Sequence, residues 1–384
     1  MKKIRVLVTD DSAFMRQVIS DILSTDPELE VIDRARNGLE CLDKCKKLQP
    51  DVVTLDIEMP LMSGLEALER LMKEHPVPVV MLSSLTREGA DATIRALELG
   101  AFDFVTKPSG SISLDIHKVA DRLIQRVKTA ALTGRRNKPA DRPNTNKKPP
   151  AAAEAVSPPQ PPALAWSHPV KAAKPATPAA AMPAPNAKPI RKGAQGKLVV
   201  LGTSTGGPKA LQTVLTAIPA SFPAPIAIVQ HMPAGFTRSL AQRLDSLCRI
   251  RVTEVQDGEV LQPSTAYIAP GGYHFEVHAG SGQLMARLTQ EEPRAGHRPS
   301  VDVLFESASR LTNVEKWAIL MTGMGNDGTK GLQQMKQTGS VTTIVEDEST
   351  CVVFGMPRAA IQAGVADHVV PLDKIPELLC KLLH

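Results

Sequence analysis

Two groups of side chains that can do chemistry follow short apolar segments of this 384-residue chain. One group combines carboxylates with a hydroxyl and an amine: Asp10, Asp11, Asp56, Ser83 and Lys107. The other group is a serine, a histidine and an aspartate: Ser204, His231 and Asp327. Acidic oxygens beside a lysine suit metal-assisted chemistry on a phosphoryl group, whereas a Ser-His-Asp set suits nucleophilic attack on a carbonyl carbon. The residue types therefore indicate two different reactive sites.

The segments around the first group have the pattern of buried parallel strands and amphipathic helices. Short apolar runs cover residues 4–9, 52–55, 77–82 and 102–106, and segments with apolar residues at three- and four-residue spacing cover 12–23, 65–73, 90–99 and 116–127. This alternation predicts an α/β domain with a doubly wound parallel sheet of the flavodoxin-like type. Such a sheet brings the carboxyl ends of its strands to one edge, where ligands bind.

The first group of residues follows these predicted strand ends. Three carboxylates at one edge repel one another unless a hard divalent cation neutralises them, so we expect Mg²⁺ there. Lys107 would supply a positive charge and Ser83 a hydroxyl to phosphoryl oxygens. Taken singly, each aspartate could equally be a turn or helix-capping residue and Lys107 a solvated loop residue. Five such positions at successive strand ends favour a site that accepts a phosphoryl group.

Residues 1–130 resemble the response-regulator receiver family. The resemblance rests on Val8-Thr9-Asp10-Asp11-Ser12, on Asp56 followed by Ile57-Glu58-Met59-Pro60, on Ser83-Ser84, and on Lys107-Pro108, whose peptide bond is often cis in that family. It implies that Asp56 receives a phosphoryl group from a histidine kinase. The implied Mg²⁺ ligands are Asp11, Asp56 and the backbone carbonyl of Glu58, in a cluster that includes Asp10. The implied switch residues are Ser83, Lys107 and Phe104, the last at a position where the family often has tyrosine.

The second group of residues follows a second set of predicted strands, at 198–201, 226–230 and 317–321. These predict a second doubly wound, Rossmann-like sheet, and two alternating segments at 273–278 and 284–288 beside glycines predict a β-hairpin inserted in it. Ser204 lies in Gly202-Thr203-Ser204-Thr205-Gly206-Gly207, a strand-to-helix turn that would present its hydroxyl. The turn matches neither common nucleotide-binding glycine motif, which makes phosphate binding there a weaker interpretation.

His231 ends one predicted strand of this second sheet, and Asp327 follows another. All three residues would face one edge, where the histidine accepts the serine proton and the aspartate stabilises the imidazolium. Alone, Ser204 could be a helix cap, His231 a buried hydrogen-bonded residue and Asp327 a turn residue. The chain order Ser, His, Asp differs from that of the α/β-hydrolases and indicates another lineage.

Residues 197–384 resemble the chemotaxis protein-glutamate methylesterase and glutamine deamidase family. The matching segments are 202–207, Gln230-His231-Met232-Pro233, 267–271, 297–302, 322–328 and 351–357. The resemblance implies that Ser204, His231 and Asp327 form the catalytic triad and that the Met324 N–H is an oxyanion donor. It also implies demethylation of glutamate methyl esters and deamidation of glutamines on methyl-accepting chemotaxis receptors, with no cofactor for the esterase reaction.

The segment between the two domains has a different composition. Residues 135–192 contain 14 of the 32 prolines and a net charge of +9, which leaves the rest of the chain at −4. We therefore expect a receiver domain at 1–130, a disordered linker at 131–195 and a catalytic domain at 196–384. Because the excess of basic over acidic residues lies in this linker, with Trp166 as its only aromatic, nucleic-acid binding is disfavoured.

Other features bound the function. The 5 cysteines form no C-x-x-C pair, which fits a reducing cytoplasm, and no apolar run suggests a signal sequence or membrane insertion. A non-enzymatic signalling adaptor is the alternative to an enzyme, and the intact triad argues against it. A transcription factor would need a DNA-reading helix that the second domain does not suggest. We expect His297 and Arg298 to tie a loop, with substrate orientation as the alternative.

Overall fold

The computed structural model describes residues 2–107, 115–137, 196–280, 282–339 and 341–383. Most of the predicted linker, together with Pro108 of the Lys107-Pro108 pair, lies outside these residues. Helix formation extends further than predicted at the linker's start, since residues 131–137 belong to a helix. The two predicted folded domains together form one compact unit.

The amino-terminal domain is a parallel sheet with helices between its strands, as the sequence predicts, and it contains five strands where four segments were predicted. Its strand order is β2-β1-β3-β4-β5. In chain order the elements are β1 (Ile4–Thr9), α1 (Ala13–Ser24), β2 (Leu29–Ala35), α2 (Gly38–Leu48), β3 (Val52–Asp56), α3 (Gly64–Glu74), β4 (Val79–Ser83), α4 (Arg87–Glu98), β5 (Asp103–Thr106) and α5 (Asp115–Asn137).

Side-chain caps define where these helices begin. Ser12 accepts a hydrogen bond from the Met15 N–H at the start of α1, and Ser63 forms a capping box with Glu66 at the start of α3. Strand β2 is absent from the sequence-based prediction. It lies at the edge of the sheet, and its residues Leu29–Ala35 mix apolar with charged side chains because one flank is solvated.

The carboxy-terminal domain contains a seven-stranded parallel sheet in the order β14-β13-β12-β6-β7-β9-β8. Its elements are β6 (Gly196–Thr203), α6 (Gly207–Ala217), β7 (Ile226–Gln230), α7 (Phe236–Asp245), β8 (Arg251–Glu254), β9 (Thr265–Ile268), β10 (His274–Gly280), β11 (Gln283–Thr289), α8 (Val301–Ser309), β12 (Val314–Leu320), α9 (Thr329–Thr338), β13 (Val341–Glu346), α10 (Met356–Gln362), β14 (His368–Val370), a 3₁₀ turn (Leu372–Lys374) and α11 (Ile375–Leu383). Strands β10 and β11 pair antiparallel, which confirms the predicted hairpin.

Strand β6 lies at the centre of this second sheet, between β12 and β7. Its residues Leu198–Leu201 are fully buried, because helices cover both faces of the sheet. The loops after these three neighbouring strands therefore emerge side by side at the carboxyl edge. The described helices include none that is long and apolar enough to cross a membrane.

Candidate functional site

Ser204 lies in the turn that connects β6 to α6, and backbone contacts hold that turn in place. The Ser204 N–H donates to the Thr322 carbonyl at 3.0 Å, and the Gln230 side-chain amide donates to the Ser204 carbonyl at 3.0 Å. Thr322 follows β12 and Gln230 ends β7, so both neighbouring strands support the turn. The Ser204 side chain is thereby fixed at the edge of the sheet.

Two glycines allow the chain to pass closely around the serine. Gly206 precedes α6 with a φ of 81°, a left-handed conformation that suits glycine. At Gly323 a Cβ atom would lie 2.9 Å from the Ser204 Cβ and still closer to the Met356 sulfur. The loop after β12 can therefore approach the serine only because residue 323 has no side chain.

Ser204, His231 and Asp327 form one hydrogen-bonded relay. The His231 Nδ1 lies 3.2 Å from the Ser204 Oγ, and its Nε2 lies 2.8 Å from an Asp327 carboxylate oxygen. Because an ionised carboxylate can only accept hydrogen bonds, the neutral imidazole carries its proton on Nε2. Nδ1 is then free to accept the serine proton, which is the arrangement that nucleophilic catalysis requires.

The carboxylate of Asp327 is surrounded by donors. It accepts hydrogen bonds from the Ser300 hydroxyl and from the backbone N–H groups of Val301, Asp302 and Gly328, at 2.7–3.1 Å. Burial opposes the ionisation of this group, but the His231 ring and the backbone donors outweigh burial and hold its pKa below the usual range. Asp327 is therefore a permanent anion beside the imidazole.

A second buried carboxylate, Asp302, supports the Asp327 loop. It accepts hydrogen bonds from the Gly328 and Gly331 N–H groups at 2.9 and 2.8 Å, where α9 begins. Burial raises the pKa of Asp302 to about 6, the Gly331 and Gly328 donors lower it, and the negative charge of Asp327 raises it further. Two adjacent aspartates thus have pKa values displaced in opposite directions.

His297 lies against His231. The two imidazole ring centroids are 4.0 Å apart, with an angle of 33° between the ring planes. The His297 Nδ1 donates to the Ala295 carbonyl at 2.9 Å, and Arg298 donates to the carbonyls of Gln290 and Glu291. Arg298 therefore ties a loop, as expected from the sequence, while His297 also contacts His231.

The amino-terminal domain brings its acidic residues together at the carboxyl edge. Oxygen atoms of Asp10, Asp11 and Asp56 all lie within 4.8 Å of one another. Asp10 and Asp56 are buried, Asp11 is exposed, and the Lys107 ammonium lies 2.8 Å from both buried carboxylates. A cluster of oxygen donors open to solvent on one side suits Mg²⁺, which prefers oxygen ligands and retains several water molecules.

The charges in this cluster do not balance fully. Burial raises the pKa of Asp56 to about 6; Lys107 acts to lower it and Asp10 to raise it. Burial would lower the pKa of Lys107, but the two carboxylates outweigh it and raise that pKa. The cluster would therefore gain from a further positive charge, which a divalent cation supplies.

The other predicted residues of this domain lie around the cluster. Ser83 is buried; its hydroxyl donates a hydrogen bond to the Gly89 carbonyl and accepts one from the Thr93 hydroxyl, both on α4. Glu58 is exposed in the loop after β3. Phe104, on β5, stacks on Phe236 of α7 with ring centroids 4.8 Å apart.

The family of the chain is shown by comparison with known proteins. The family model described as CheB methylesterase matches residues 199–379, and the response regulator receiver domain model matches residues 6–117. A Geobacillus kaustophilus protein named protein-glutamate methylesterase/protein-glutamine glutaminase is 52% identical, over 100% of this chain and 99% of its own length. A protein of the same name from Halalkalibacterium halodurans is 50% identical, over 99% of this chain and 98% of its own. The chain belongs to the protein-glutamate methylesterase/protein-glutamine glutaminase family.

In this methylesterase the receiver domain contacts the turn that carries Ser204. Asp103, the first residue of β5, accepts a hydrogen bond from the Thr205 hydroxyl at 2.6 Å. It also forms an ion pair with Arg126 of α5 at 2.8 Å. Arg126 also donates to the Thr205 hydroxyl. All three groups are largely removed from solvent, and Thr205 directly follows Ser204. The receiver and methylesterase domains therefore meet at the candidate active site.

Sequence reasoning missed several residues of this methylesterase that the structure places at the site. Ser300 and Asp302 belong to the segment 297–302, and a serine followed by an acidic residue is an available signal for a helix start. The contact between Asp103 and Thr205 joins residues 102 positions apart in the chain. No local pattern signals such a contact, because it depends on how two domains pack.

Proposed function

We propose that this chain uses Ser204, His231 and Asp327 to hydrolyse γ-glutamyl methyl esters and to deamidate glutamines on chemotaxis receptors. The observation that carries this proposal is the unbroken relay from the Ser204 hydroxyl through His231 to Asp327, with distances of 3.2 and 2.8 Å. The relay lies at the carboxyl edge of a doubly wound sheet, which is where such folds bind substrates. Membership in the methylesterase/glutaminase family points to the same reaction.

The relay determines how the first half of the reaction proceeds. As the Ser204 oxygen forms a bond to the ester carbonyl carbon, its proton passes to the His231 Nδ1. The resulting imidazolium is stabilised by Asp327, and such a general base typically contributes about 10²–10⁴-fold to the rate. His231 then returns the proton to the departing methoxy group, so that methanol leaves and an acyl-serine remains.

The second half of the reaction repeats these proton transfers, with water as the nucleophile and the Ser204 oxygen as the leaving group. His231 accepts a proton from water, the hydroxide bonds to the acyl carbon, and the Ser204 oxygen recovers its proton as it leaves. The product on the receptor is a free glutamate side chain. A glutamine side chain follows the same path with ammonia as the leaving group.

The Met324 N–H is the proposed donor to the oxyanion that forms on the carbonyl oxygen. Met324 follows Gly323, which approaches the Ser204 Cβ closely enough to exclude any side chain. A backbone donor next to the nucleophile suits this role, and removal of one such donor typically costs about 10²–10³-fold in rate. The esterase steps need no cofactor.

In the receiver domain, Asp56 is the proposed phosphoryl acceptor from a histidine kinase. Asp10, Asp11, Asp56 and the Glu58 carbonyl would hold Mg²⁺, consistent with the acidic cluster and its incomplete charge balance. When bound, Mg²⁺ would neutralise charge on the phosphoryl oxygens. Lys107 already pairs with Asp56 and can follow the added charge, while Ser83 and Phe104 would report it to α4 and to the interface.

Phosphorylation of Asp56 is proposed to control the esterase through the contact between Asp103 and Thr205. In the resting arrangement Asp103 and Arg126 hold the residue that follows the nucleophile. A phosphoryl group adds about 1.5–2 negative charges and favours a receiver form with a different surface. Loss of the Asp103 contact would then open the Ser204 edge to receptor substrates.

The proposed partners and cellular location of this enzyme follow from its substrates. The receptors and the kinase are its protein partners, which fits action in the cytoplasm on the inner parts of membrane receptors.

Replacement of the proposed nucleophile tests the esterase function. Ser204→Ala should lower methanol release from methylated receptor membranes by about 10⁴-fold or more, since the residual rate lacks covalent catalysis. Ser246→Ala is the matched control, because Ser246 is an exposed serine at the end of α7. Near-normal methanol release by folded Ser204→Ala protein would refute the proposed mechanism.

A further inference from the structure

His231 uses both of its nitrogen atoms in the relay, which leaves only the faces of its ring for other contacts. The two hydrogen bonds lie in the ring plane, and they restrain tilting of the plane less than they restrain rotation within it. During the reaction the imidazole must shuttle a proton between Ser204 and the leaving group. A displacement of about 1 Å at such a step can cost about 10²-fold in rate.

His297 covers one face of the catalytic ring. Its centroid lies 4.0 Å from that of His231, and the two planes are inclined by 33°. The ring is itself held in a fixed tautomer, because the Nδ1 proton is donated to the Ala295 carbonyl. The contact is therefore between two imidazoles of defined orientation.

The segment that presents His297 is anchored on both sides. Arg294 and His297 exchange two backbone hydrogen bonds of 3.0 Å across a turn whose central residues, Ala295 and Gly296, both have positive φ values. The Arg294 guanidinium bonds Glu306 of α8 at 2.6 Å, and the Arg298 carbonyl accepts from the Gly272 N–H. These contacts make the turn a rigid support for the ring.

His297 is uncharged at neutral pH. Burial is the main cause that lowers its pKa to about 4. The charge of His231 when protonated and the charges of Arg126 and Arg122 lower this pKa too, and Asp327 acts in the opposite direction. A neutral aromatic face beside His231 favours the imidazolium that forms during catalysis, whereas a second positive charge would oppose it.

We propose that His297 is a positioning residue whose ring packs on the face of His231 and holds that imidazole in line with Ser204 and Asp327. The inference rests on the proposed role of the triad. It assigns His297 no contact with substrate.

Two substitutions distinguish the contribution of the His297 ring from the contribution of its hydrogen bond to Ala295. His297→Phe keeps a flat ring over His231 and loses the Nδ1 donor, whereas His297→Asn keeps a donor near the Nδ1 position and loses the ring. If the ring positions His231, the Phe variant should stay close to the wild-type kcat, and the Asn variant should fall by about 10- to 100-fold in kcat with little change in KM. If His297 only ties the loop, the order of the two variants reverses.

The measurements use the full chain with a phosphodonor and Mg²⁺. Methanol release from methylated receptor membranes gives kcat and KM, and labelling of Ser204 by a fluorophosphonate gives the reactivity of the serine without any receptor. His278→Phe and His278→Asn are matched controls, since His278 is a half-exposed histidine of the β10–β11 hairpin that pairs with Glu276. Melting temperatures show whether each variant is folded.

The labelling experiment distinguishes failure of the inference from failure of the proposed function. If wild-type protein labels at Ser204 but releases no methanol, the proposed substrate is wrong and the labelling rates still test His297. A slow Phe variant overturns the inference, even where the Asn variant fails to fold. A folded Asn variant that labels at the wild-type rate overturns it as well.

Discussion

Two buried aspartates at the carboxyl edges of two parallel sheets have opposite electrostatic environments. Asp327 accepts hydrogen bonds from His231, from a hydroxyl and from three backbone N–H groups, and its pKa is held below the usual range. Asp56 has Lys107 as its positive partner, lies near Asp10, and has a pKa raised to about 6. The carboxyl edges of the two sheets thus hold one aspartate whose ionised form is stabilised, Asp327, and one whose ionised form is destabilised, Asp56.

The difference corresponds to the proposed roles. A group that stabilises an imidazolium in every turnover must stay ionised, and saturation with donors achieves this. A group that is to be phosphorylated must instead be accessible to a cation and a phosphodonor, so its charge is left incompletely balanced. The cost in stability is one that functional sites commonly carry.

The largest expected effect on the rate comes from removal of the Asp327 charge. Asp327→Asn should lower kcat by about 10⁴-fold, because an amide cannot stabilise the imidazolium and can favour the wrong tautomer of His231. The matched control is Asp257→Asn, since Asp257 also accepts a backbone N–H, that of Leu288, but lies at the hairpin. Methanol release measures the effect, and an unchanged rate would remove Asp327 from the triad.

Removal of the Asp56 charge should stabilise the folded protein. The pKa of folded Asp56, about 6, exceeds its ordinary value of 3.8, so the ionised form disfavours folding above pH 6 and this penalty fades as pH falls toward 3.8. Without Mg²⁺ at pH 7.5, Asp56→Asn should raise the free energy of unfolding by about 1–3 kcal/mol. Hydrogen exchange of the slowest amides in β1 and β3 measures it.

The matched control, Asp33→Asn, should change the free energy of unfolding in the opposite direction. Burial acts to raise the pKa of Asp33, but the Arg34 N–H and Lys44 outweigh it and lower that pKa, so Asp33→Asn should destabilise slightly. A destabilising Asp56→Asn change would contradict the contrast between the two sites.

A smaller effect is expected where the two regions meet. Asp103→Asn removes the charge that pairs with Arg126 and weakens the bond to Thr205, so methanol release by the unphosphorylated chain should rise, by up to about 10-fold for a contact of about 1.5 kcal/mol. The phosphorylated rate should change little. An unphosphorylated rate that stays at the wild-type level would show that this contact does not restrain the enzyme.

The smallest effect is expected at the rim of the same interface. Glu98 of α4 pairs with Arg243 of α7 at 2.7 Å, but both side chains are partly exposed, so Glu98→Gln should raise the unphosphorylated rate by no more than about 2-fold. Glu69→Gln is the matched control, because Glu69 pairs with Lys73 on the exposed face of α3. A Glu98→Gln effect larger than that of Asp103→Asn would reverse the assigned order of the two contacts.

The sequence predicts the strand ends of both sites because the spacing of apolar residues along a strand is a local property of the sequence. Ser204, His231 and Asp327 each follow a strongly apolar strand. Asp10 follows another and Asp56 ends one, so the convergence of these residues follows from the topology of a parallel sheet. Three of the donors to Asp327 could not be predicted in the same way, since they come from the start of α8, 25–27 residues earlier in the chain.

Other features escaped prediction for related reasons. The edge strand β2 mixes charged and apolar residues, which gives it no clear period. The stacking of Phe104 on Phe236 and the bond between Asp103 and Thr205 arise only when two domains pack. Sequence patterns therefore reveal each site separately, and the structure reveals how one contacts the other.

Methanol release by the full chain, with and without a phosphodonor and Mg²⁺, tests most directly the central claim that Asp56 controls Ser204. Wild-type protein and Asp56→Asn are compared at equal concentration on the same methylated receptor membranes. We predict that the phosphodonor accelerates the wild type and leaves Asp56→Asn at its slow rate. Equal acceleration of both proteins, or no acceleration of the wild type, would contradict the claim.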